Sequence, residues 1–322
     1  MTVSRVINGE QIVRSTTREK VEAAIAALNY SPSAAARSLA GGEDTRISLL
    51  YSNPSASYLS EFLVGSLDQA SRSGVDLVVE KWDEETAVDT VVEHLLRGRI
   101  NGVILPPPLC DHQAIKDALK AADIVAVAVA TGEAPADMSA VSIDDHAAAL
   151  AMTRHLIALG HRRIGFIKGH PNQSASRRRF EGYGDALAEA GITPDEALVQ
   201  QGYFTYRSGL DAAERILALP EPPTAIFASN DDMAAAAVAI AHRSGLDVPG
   251  DLTVCGFDDT SLATTIWPEL TTIRQPISAM SRAAVELLVK RIRARKGKSD
   301  ETPSHLLLDY ELVRRQSDAV PH

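Results

Sequence analysis

The residues with most chemistry to offer fall in short polar clusters. Three are adjacent carboxylate pairs: Asp144-Asp145, Asp231-Asp232 and Asp258-Asp259. Asn230 precedes the second pair, and Arg177-Arg178-Arg179 is an uninterrupted cationic run. Carboxylate pairs can ligate metals or work as general acid and base. Neighbours in a loop usually point apart, however, and no nucleophile–base pattern accompanies these. His155 and His161 are six residues apart, on a helix and at its end, a poor spacing for shared ligation. No GxSxG sequence and no glycine-rich phosphate loop is present. Neither catalysis, a metal nor a cofactor is expected. What remains is hydrogen bonding to a hydroxyl-rich molecule. Asp258 accepts, Asn230 both donates and accepts, and an aromatic ring such as Tyr58 can stack on the apolar face of a sugar.

These clusters are placed by a repeated pattern. Apolar runs at 47–51, 75–79, 103–105, 124–129, 164–167, 225–228 and 252–256 read as buried strands. Helical stretches lie between them, at 59–71, 147–159, 209–217 and 233–242. Gly160, Gly191 and Gly245 follow helices and suit C-terminal caps. The alternation predicts parallel sheets with helices on both faces, and about a dozen strands are too many for one sheet, so two lobes are expected. In such folds ligands bind beyond the carboxyl ends of the strands. The polar residues there are Ser52-Asn53, Thr131, Asp144-Asp145, the stretch 170–173, Ser229 to Asp232, and Asp258-Asp259.

The chain has 322 residues, 45% of them hydrophobic, enough for two or three compact units. No apolar run spans a bilayer and the first residues lack the apolar core of an export signal, so a cytoplasmic protein is expected. Cys110 and Cys255 read as buried, reduced thiols. Net charge is −10, but residues 1–42 carry five basic residues against three acidic ones, a balance of +2 that leaves −12 for the rest. A mildly basic head on an acidic body fits nucleic-acid contact confined to the head.

In that head, Thr16 can cap a helix over 16–30, with Glu19 completing a capping box and Val21, Ala24, Ile25 and Leu28 on one face. Before it, Thr2, Ser4 and Arg5 can face outward while Val3, Val6 and Ile7 face inward. After it, Ser31-Pro32 breaks the helix, and 33–40 can form two turns tipped by Leu39, as a linker or as a helix that enters a minor groove.

Thr2-Val3-Ser4-Arg5-Val6-Ile7-Asn8-Gly9 resembles the recognition helix of the lactose-repressor/galactose-repressor (LacI/GalR) family. The stretch from Asn29-Tyr30-Ser31-Pro32 to Arg37-Ser38-Leu39 resembles its hinge helix. The resemblance continues through Gly160-His161-Arg162-Arg163-Ile164-Gly165, Arg179-Phe180-Glu181-Gly182-Tyr183, Ala228-Ser229-Asn230-Asp231, Gly256-Phe257-Asp258-Asp259 and Pro268-Glu269-Leu270-Thr271-Thr272. It implies an α/β fold: a two-lobed, type I periplasmic-binding-protein-like body of parallel sheets flanked by helices. A small all-α helix-turn-helix head and hinge helix precede it, with the head short of its first helix. The head and hinge are expected over 1–42 and the body over 43–322. Lobe 1 takes about 43–143 and 275–303, and lobe 2 about 144–274 and 304–322. Three crossings are expected near 142–144, 272–275 and 305–308.

The resemblance also implies roles. Thr2, Ser4 and Arg5 would face the major groove, and Ala36 and Leu39 the minor groove, with Leu39 as a wedge. Arg179, by composition a surface arginine, would grip ligand oxygens. Phe204 stands where the family often has an aromatic ring, Gln173 and Ser174 match a loop that tunes specificity, and Ala130 stands where some relatives carry an acid. Together with Asp258, Asn230 and Tyr58 these form the expected ligand site. The function implied is a DNA-binding transcriptional regulator, a repressor of sugar-catabolism genes, controlled by a small carbohydrate between the lobes. Its partners would be a palindromic operator and a second copy of the chain paired through lobe 1, including helix 59–71. No membrane partner is expected. A cytoplasmic sugar-binding protein without DNA binding is the alternative.

Overall fold

A computed structural model describes residues 6, 14–27, 45–83, 86–297 and 302–321. The chain divides into two units, Met1–Thr45 and Arg46–His322. In the first, helix α1 runs Ser15–Ala27. Thr2, Ser4, Arg5, Ala36 and Leu39 lie outside the described residues, so the expected DNA contacts have no structural account.

The second unit alternates strand and helix. Its first run is β1 (Arg46–Tyr51), α2 (Ala56–Ser73), β2 (Asp76–Lys81), α3 (Val88–Arg97), β3 (Gly102–Leu105), α4 (Gln113–Ala121), β4 (Val125–Val129) and β5 (Ser139–Ser142). There follow α5 (Asp145–Ala158), β6 (Ile164–Lys168), α6 (Ser174–Glu189), β7 (Val199–Gln201), α7 (Tyr206–Leu217), β8 (Ala225–Ala228), α8 (Asp231–Arg243), β9 (Thr253–Asp258), α9 (Ser261–Thr265) and β10 (Thr271–Arg274). The chain closes with α10 (Ile277–Lys296), β11 (His305–Leu307) and β12 (Glu311–Val313).

Two six-stranded sheets result, ordered β11-β5-β4-β3-β1-β2 and β12-β10-β9-β8-β6-β7. Every pairing is parallel except β10 with β12. The central strands read as unbroken apolar runs because both faces are covered: β3, β8 and β9 are buried at every position. The chain passes between sheets after β5, after β10 and after β11. One expectation needs correction here. Residues 305–307 were assigned to lobe 2, but β11 pairs with β5 in the first sheet, and only β12 joins the second. A three-residue strand with exposed side chains carries no burial pattern from which its sheet could be read.

In each sheet the strand order reverses once, between β1 and β3 and between β6 and β8. Such reversals open a crevice at the strands' carboxyl ends, because the flanking connections leave on opposite faces. Local sequence fixes where each helix starts there. Ser55 caps α2 by accepting from Tyr58 N, Asp144 caps α5, Thr205 caps α7 and Asn230 caps α8. Gly160, Gly191 and Gly245 stop their helices with φ of 108°, 66° and 78°. Cys110 and Cys255 are buried and unpaired.

Candidate ligand-binding site

Tyr58, Gln173, Arg179, Phe204, Asn230 and Asp258 converge on one small cavity between the sheets. Asn53, Ser55, Pro107, Ala130, Ala175 and Gln275 complete its wall. All of these lie at or just beyond the carboxyl ends of strands, or on the helices that follow.

Arg179 is the centre of the arrangement. Helix α6 buries Ala175, Arg179, Gly182, Tyr183 and Ala186, a stripe at helical spacing that turns Arg179 inward. Arg177 and Arg178 point to the surface and pair there with Glu133 and Glu181. The reading of Arg179 as a surface residue is thus overturned, since it is 4% exposed. Its Nε donates to Asp145 Oδ1 at 2.8 Å and its Nη1 to the Ser229 carbonyl at 2.6 Å. Nη1 is also 3.8 Å from Asp258 Oδ1, and the guanidinium carbon lies 3.6 Å from the Phe257 ring centre. Hydrogen bonds, charge and a π face therefore fix its position together.

Asp258 accepts from Gln275 Nε2 at 2.6 Å. Burial pushes its carboxyl up to about 7, opposed by Arg179 and Gln275 and reinforced by Asp232 and Asp145. Asp145 is also raised by burial, against the pull of Arg179. The three acidic pairs each split across the wall. Asp145 faces Arg179 while Asp144 caps α5. Asp259 turns away to Arg274 and Arg315. Asp231 accepts from Thr260 N and Thr272 Oγ1, whereas Asp232 accepts from Ser55 Oγ across the crevice at 2.6 Å. Adjacent carboxylates thus do different work, and among the described residues no group of three metal-binding side chains is assembled.

Two polar atoms in the wall have no partner: the Tyr58 hydroxyl and Gln275 Oε1. Buried polar atoms are almost always paired, so an orphan facing a cavity marks a place for something else to bind. Backbone strain gathers in the same wall. Ala130, Phe204 and Asp258 have φ of 54°, 60° and 109°, and Asp259 beside them has 57°. Left-handed backbone is unfavourable for these residues and clusters where geometry matters more than stability. The Phe204 ring is seated over Gly169, where any Cβ would lie 2.0 Å from the ring.

Not every expected residue joins. Asn230 lines the cavity, but its Oδ1 caps α8 and its Nδ2 donates to the Phe204 carbonyl and to Asp232. It positions the wall as well as facing it. Ser174 does not line the cavity at all. Its amide and hydroxyl donate to the two carboxylate oxygens of Asp111, both at 2.8 Å, and its Oγ accepts from Gly132 N. Asp111 and Gly132 follow strands of the first sheet, so Ser174 ties the sheets together outside the cavity. A Cβ at Gly132 would come within 2.6 Å of the Ser174 carbonyl carbon and the Ala175 nitrogen, which explains the glycine. Sequence reasoning also left out Asp111, Asp145 and Gln275 as functional positions. Asp145 and Asn53 were in view as strand-end polar residues, but nothing in the sequence signals the Asp111–Ser174 pairing across 63 positions.

The cavity holds only about 30 Å³, whereas pockets for small molecules measure roughly 300–1,000 Å³. The ties through Ser55–Asp232 and Asp111–Ser174 draw its walls together. A larger groove of about 870 Å³ lies on the flank, between α4, the loop 133–138 and the start of α6, but it is not where the strained and unpartnered residues gather.

Residues 153–317 match the family described as periplasmic binding protein-like domain, and residues 1–33 match bacterial regulatory proteins of the lacI family. The chain is also 34% identical over 322 residues to the HTH-type transcriptional repressor PurR of Haemophilus influenzae (strain ATCC 51907 / DSM 11121 / KW20 / Rd), covering 98% of this chain and 94% of that protein. The chain belongs to the LacI family of bacterial transcription regulators. Solved structures agree. A complex of the transcriptional regulator CelR with cellobiose superposes with a TM-score of 0.78 at 31% identity, over 98% of this chain and 95% of that one. The lac repressor dimer bound to operator and the anti-inducer ONPF gives 0.78 at 29%, over 99% and 94%. The LacI-family head therefore occupies the segment whose Thr2-Val3-Ser4-Arg5 string first suggested it. In this LacI-family body, no described helix is long and apolar enough to cross a membrane.

Proposed function

We propose that this protein is a cytoplasmic, dimeric repressor whose hold on a palindromic operator is set by a small carbohydrate bound between the two sheets. The observation that carries the reading is the wall itself. Arg179 and Asp258 are held rigidly beside the unpartnered Tyr58 hydroxyl and Gln275 Oε1, and these come from both sheets. A ligand touching both sheets has different affinity for the parted and closed arrangements, and that difference is what allows it to shift a population. The shift passes to the head through the first sheet, where β1 follows the head directly and α2 presents exposed Val64 and Leu67 for pairing with a second copy. A dimer requires a two-fold operator. The carboxylates bind in this reading and perform no turnover.

The test has two arms. Selection of duplexes from a random pool by the purified chain is expected to return a palindrome, and fluorescence anisotropy on that duplex is expected to respond to one sugar of a screening panel. Arg179→Ala is expected to keep operator binding and lose the response. Recovery of no duplex would leave a sugar-binding protein without a DNA role; an undiminished response in Arg179→Ala would remove the cavity from the mechanism.

A further inference from the structure

Two stretches that line the cavity lie directly against each other just outside it. Ala130 follows β4 in left-handed backbone, and the chain continues through Thr131-Gly132-Glu133. From the second sheet, Gln173 and Ala175 line the cavity with Ser174 between them. A Cβ built on Gly132 meets the Ser174 carbonyl carbon, the Ser174 carbonyl oxygen and the Ala175 nitrogen, all within 2.7 Å. These are backbone atoms, so no change of rotamer makes room. Gly132 is not among the glycines with positive φ, and its own conformation is open to any residue. The glycine is demanded by its neighbour across the crevice and not by its own turn.

A clasp surrounds this contact. Asp111 accepts from the Ser174 amide and hydroxyl and, at 3.0 Å, from Thr131 Oγ1. Gly132 N donates to Ser174 Oγ at 2.9 Å. Asp111, Thr131, Gly132 and Ser174 all stand outside the cavity lining.

We propose that Gly132 is the stop on which the crevice closes: the closed arrangement seats the backbone of residue 132 on Ser174–Ala175, the Asp111 clasp holds it there, and any side chain at 132 keeps the sheets apart. The proposal rests on the effector reading above and adds to it a control on closure that touches no ligand.

The cavity of about 30 Å³ has room for little more than one water. A larger occupant requires the walls to separate, and the chain joins the sheets only through the crossings after β5, β10 and β11. The clasp is suited to repeated parting. Asp111 and Ser174 are half-buried, so water can replace the hydrogen bonds they lose. Arg179 and Asp145 are buried and belong to one sheet, so they stay together as it moves. Ala130 leads into one half of the clasp, and Gln173 and Ala175 flank the other. Three cavity residues therefore take their places as the clasp is made. A methyl group at 132 leaves the parted state untouched and excludes the closed one, which shifts a population without unfolding the chain.

The experiment is hydrogen exchange on the full chain, read by mass spectrometry, beside calorimetric titration with the sugar that the screening panel returns. Gly132→Ala is expected to speed exchange about tenfold in peptides over 130–134 and 172–176, where amides donate across the crevice, and to leave α8 and β9 at the parent rate. Sugar affinity is expected to fall about tenfold, because apparent affinity scales with the fraction of chains able to close. Ser174→Ala removes the hydroxyl ties without adding a clash and is expected to fall between the parent and Gly132→Ala in both readouts. Parent-like exchange over both segments in Gly132→Ala would overturn the proposal. So would faster exchange throughout 46–322, since the contact would then serve the fold and not closure, and so would unchanged sugar affinity beside faster local exchange. If no sugar binds the parent, the effector reading fails, and the exchange measurement alone decides whether Gly132 is the stop.

Discussion

The two sides of the crevice are built differently. The second sheet contributes a dense group, paired except at Gln275 Oε1: Arg179 on Asp145, Asp258 on Gln275, Asn230 on the Phe204 carbonyl, with Phe204, Asp258 and Asp259 in left-handed backbone. The first sheet contributes Asn53, Ser55, Tyr58 and Pro107, of which Tyr58 carries a buried hydroxyl with no partner. The second-sheet side is the more extensively paired of the two. A ligand would therefore bind the second sheet first and recruit the first sheet by completing its hydrogen bonds, which is how a single small molecule can convert binding into closure.

The contrast is broken most severely at Arg179. Arg179→Ala leaves Asp145 and Asp258 buried without a cation. Removing one partner of a buried pair costs about 3–5 kcal/mol, and chemical denaturation is expected to show a loss of that size together with loss of effector response. A change below about 1 kcal/mol, the range of exposed ion pairs, would mean that the second-sheet group is not the rigid half.

A pH titration sharpens the comparison. Asp258 holds its proton up to about 7 in the folded chain, mainly because it is buried. An unfolded aspartate releases its proton near pH 4. Below about 4 both states are protonated and there is no effect; between about 4 and about 7 only the folded state keeps the proton, so stability falls as pH rises, by up to about 1.4 kcal/mol per pH unit from this group. Above about 7 the cost is complete and the slope ends. Asp258→Asn is expected to flatten that part of the stability profile relative to the parent. Parallel profiles for the two proteins would show that the carboxyl is ionised and solvated throughout.

How much of this was legible beforehand depended on range. Strand ends and helix caps are local, and Asn230 and Asp258 announced themselves by following apolar runs. The inward turn of Arg179 was also local, in the stripe Ala175, Arg179, Gly182 and Tyr183, although the run Arg177-Arg178-Arg179 masked it. Pairings made between distant segments were not legible. Asp145 with Arg179 and Asp111 with Ser174 depend on how two sheets face each other, and no periodicity encodes that. Ser174 was assigned to the ligand for want of this information: its hydroxyl looks the same in sequence whether it meets a sugar or an aspartate of the other sheet. The placement of residues 305–307 failed for a related reason, since an exposed three-residue strand shows no face.

The smallest change separates stability from function on the first-sheet side. Tyr58→Phe removes the unpartnered hydroxyl and keeps the ring stacked near Phe62, whose centre lies 6.2 Å away. Deleting a buried group with no hydrogen bond relieves an existing desolvation cost, so stability is expected to stay level or rise by about 1 kcal/mol. Effector affinity is expected to fall about tenfold, the worth of one hydrogen bond made only to ligand. A loss of stability would show that the hydroxyl has a partner in the free protein, such as an ordered water. Unchanged affinity alongside unchanged stability would move Tyr58 out of the ligand's reach, and the first sheet would then have to close on other groups, with Asn53 and Ser55 as the next to test.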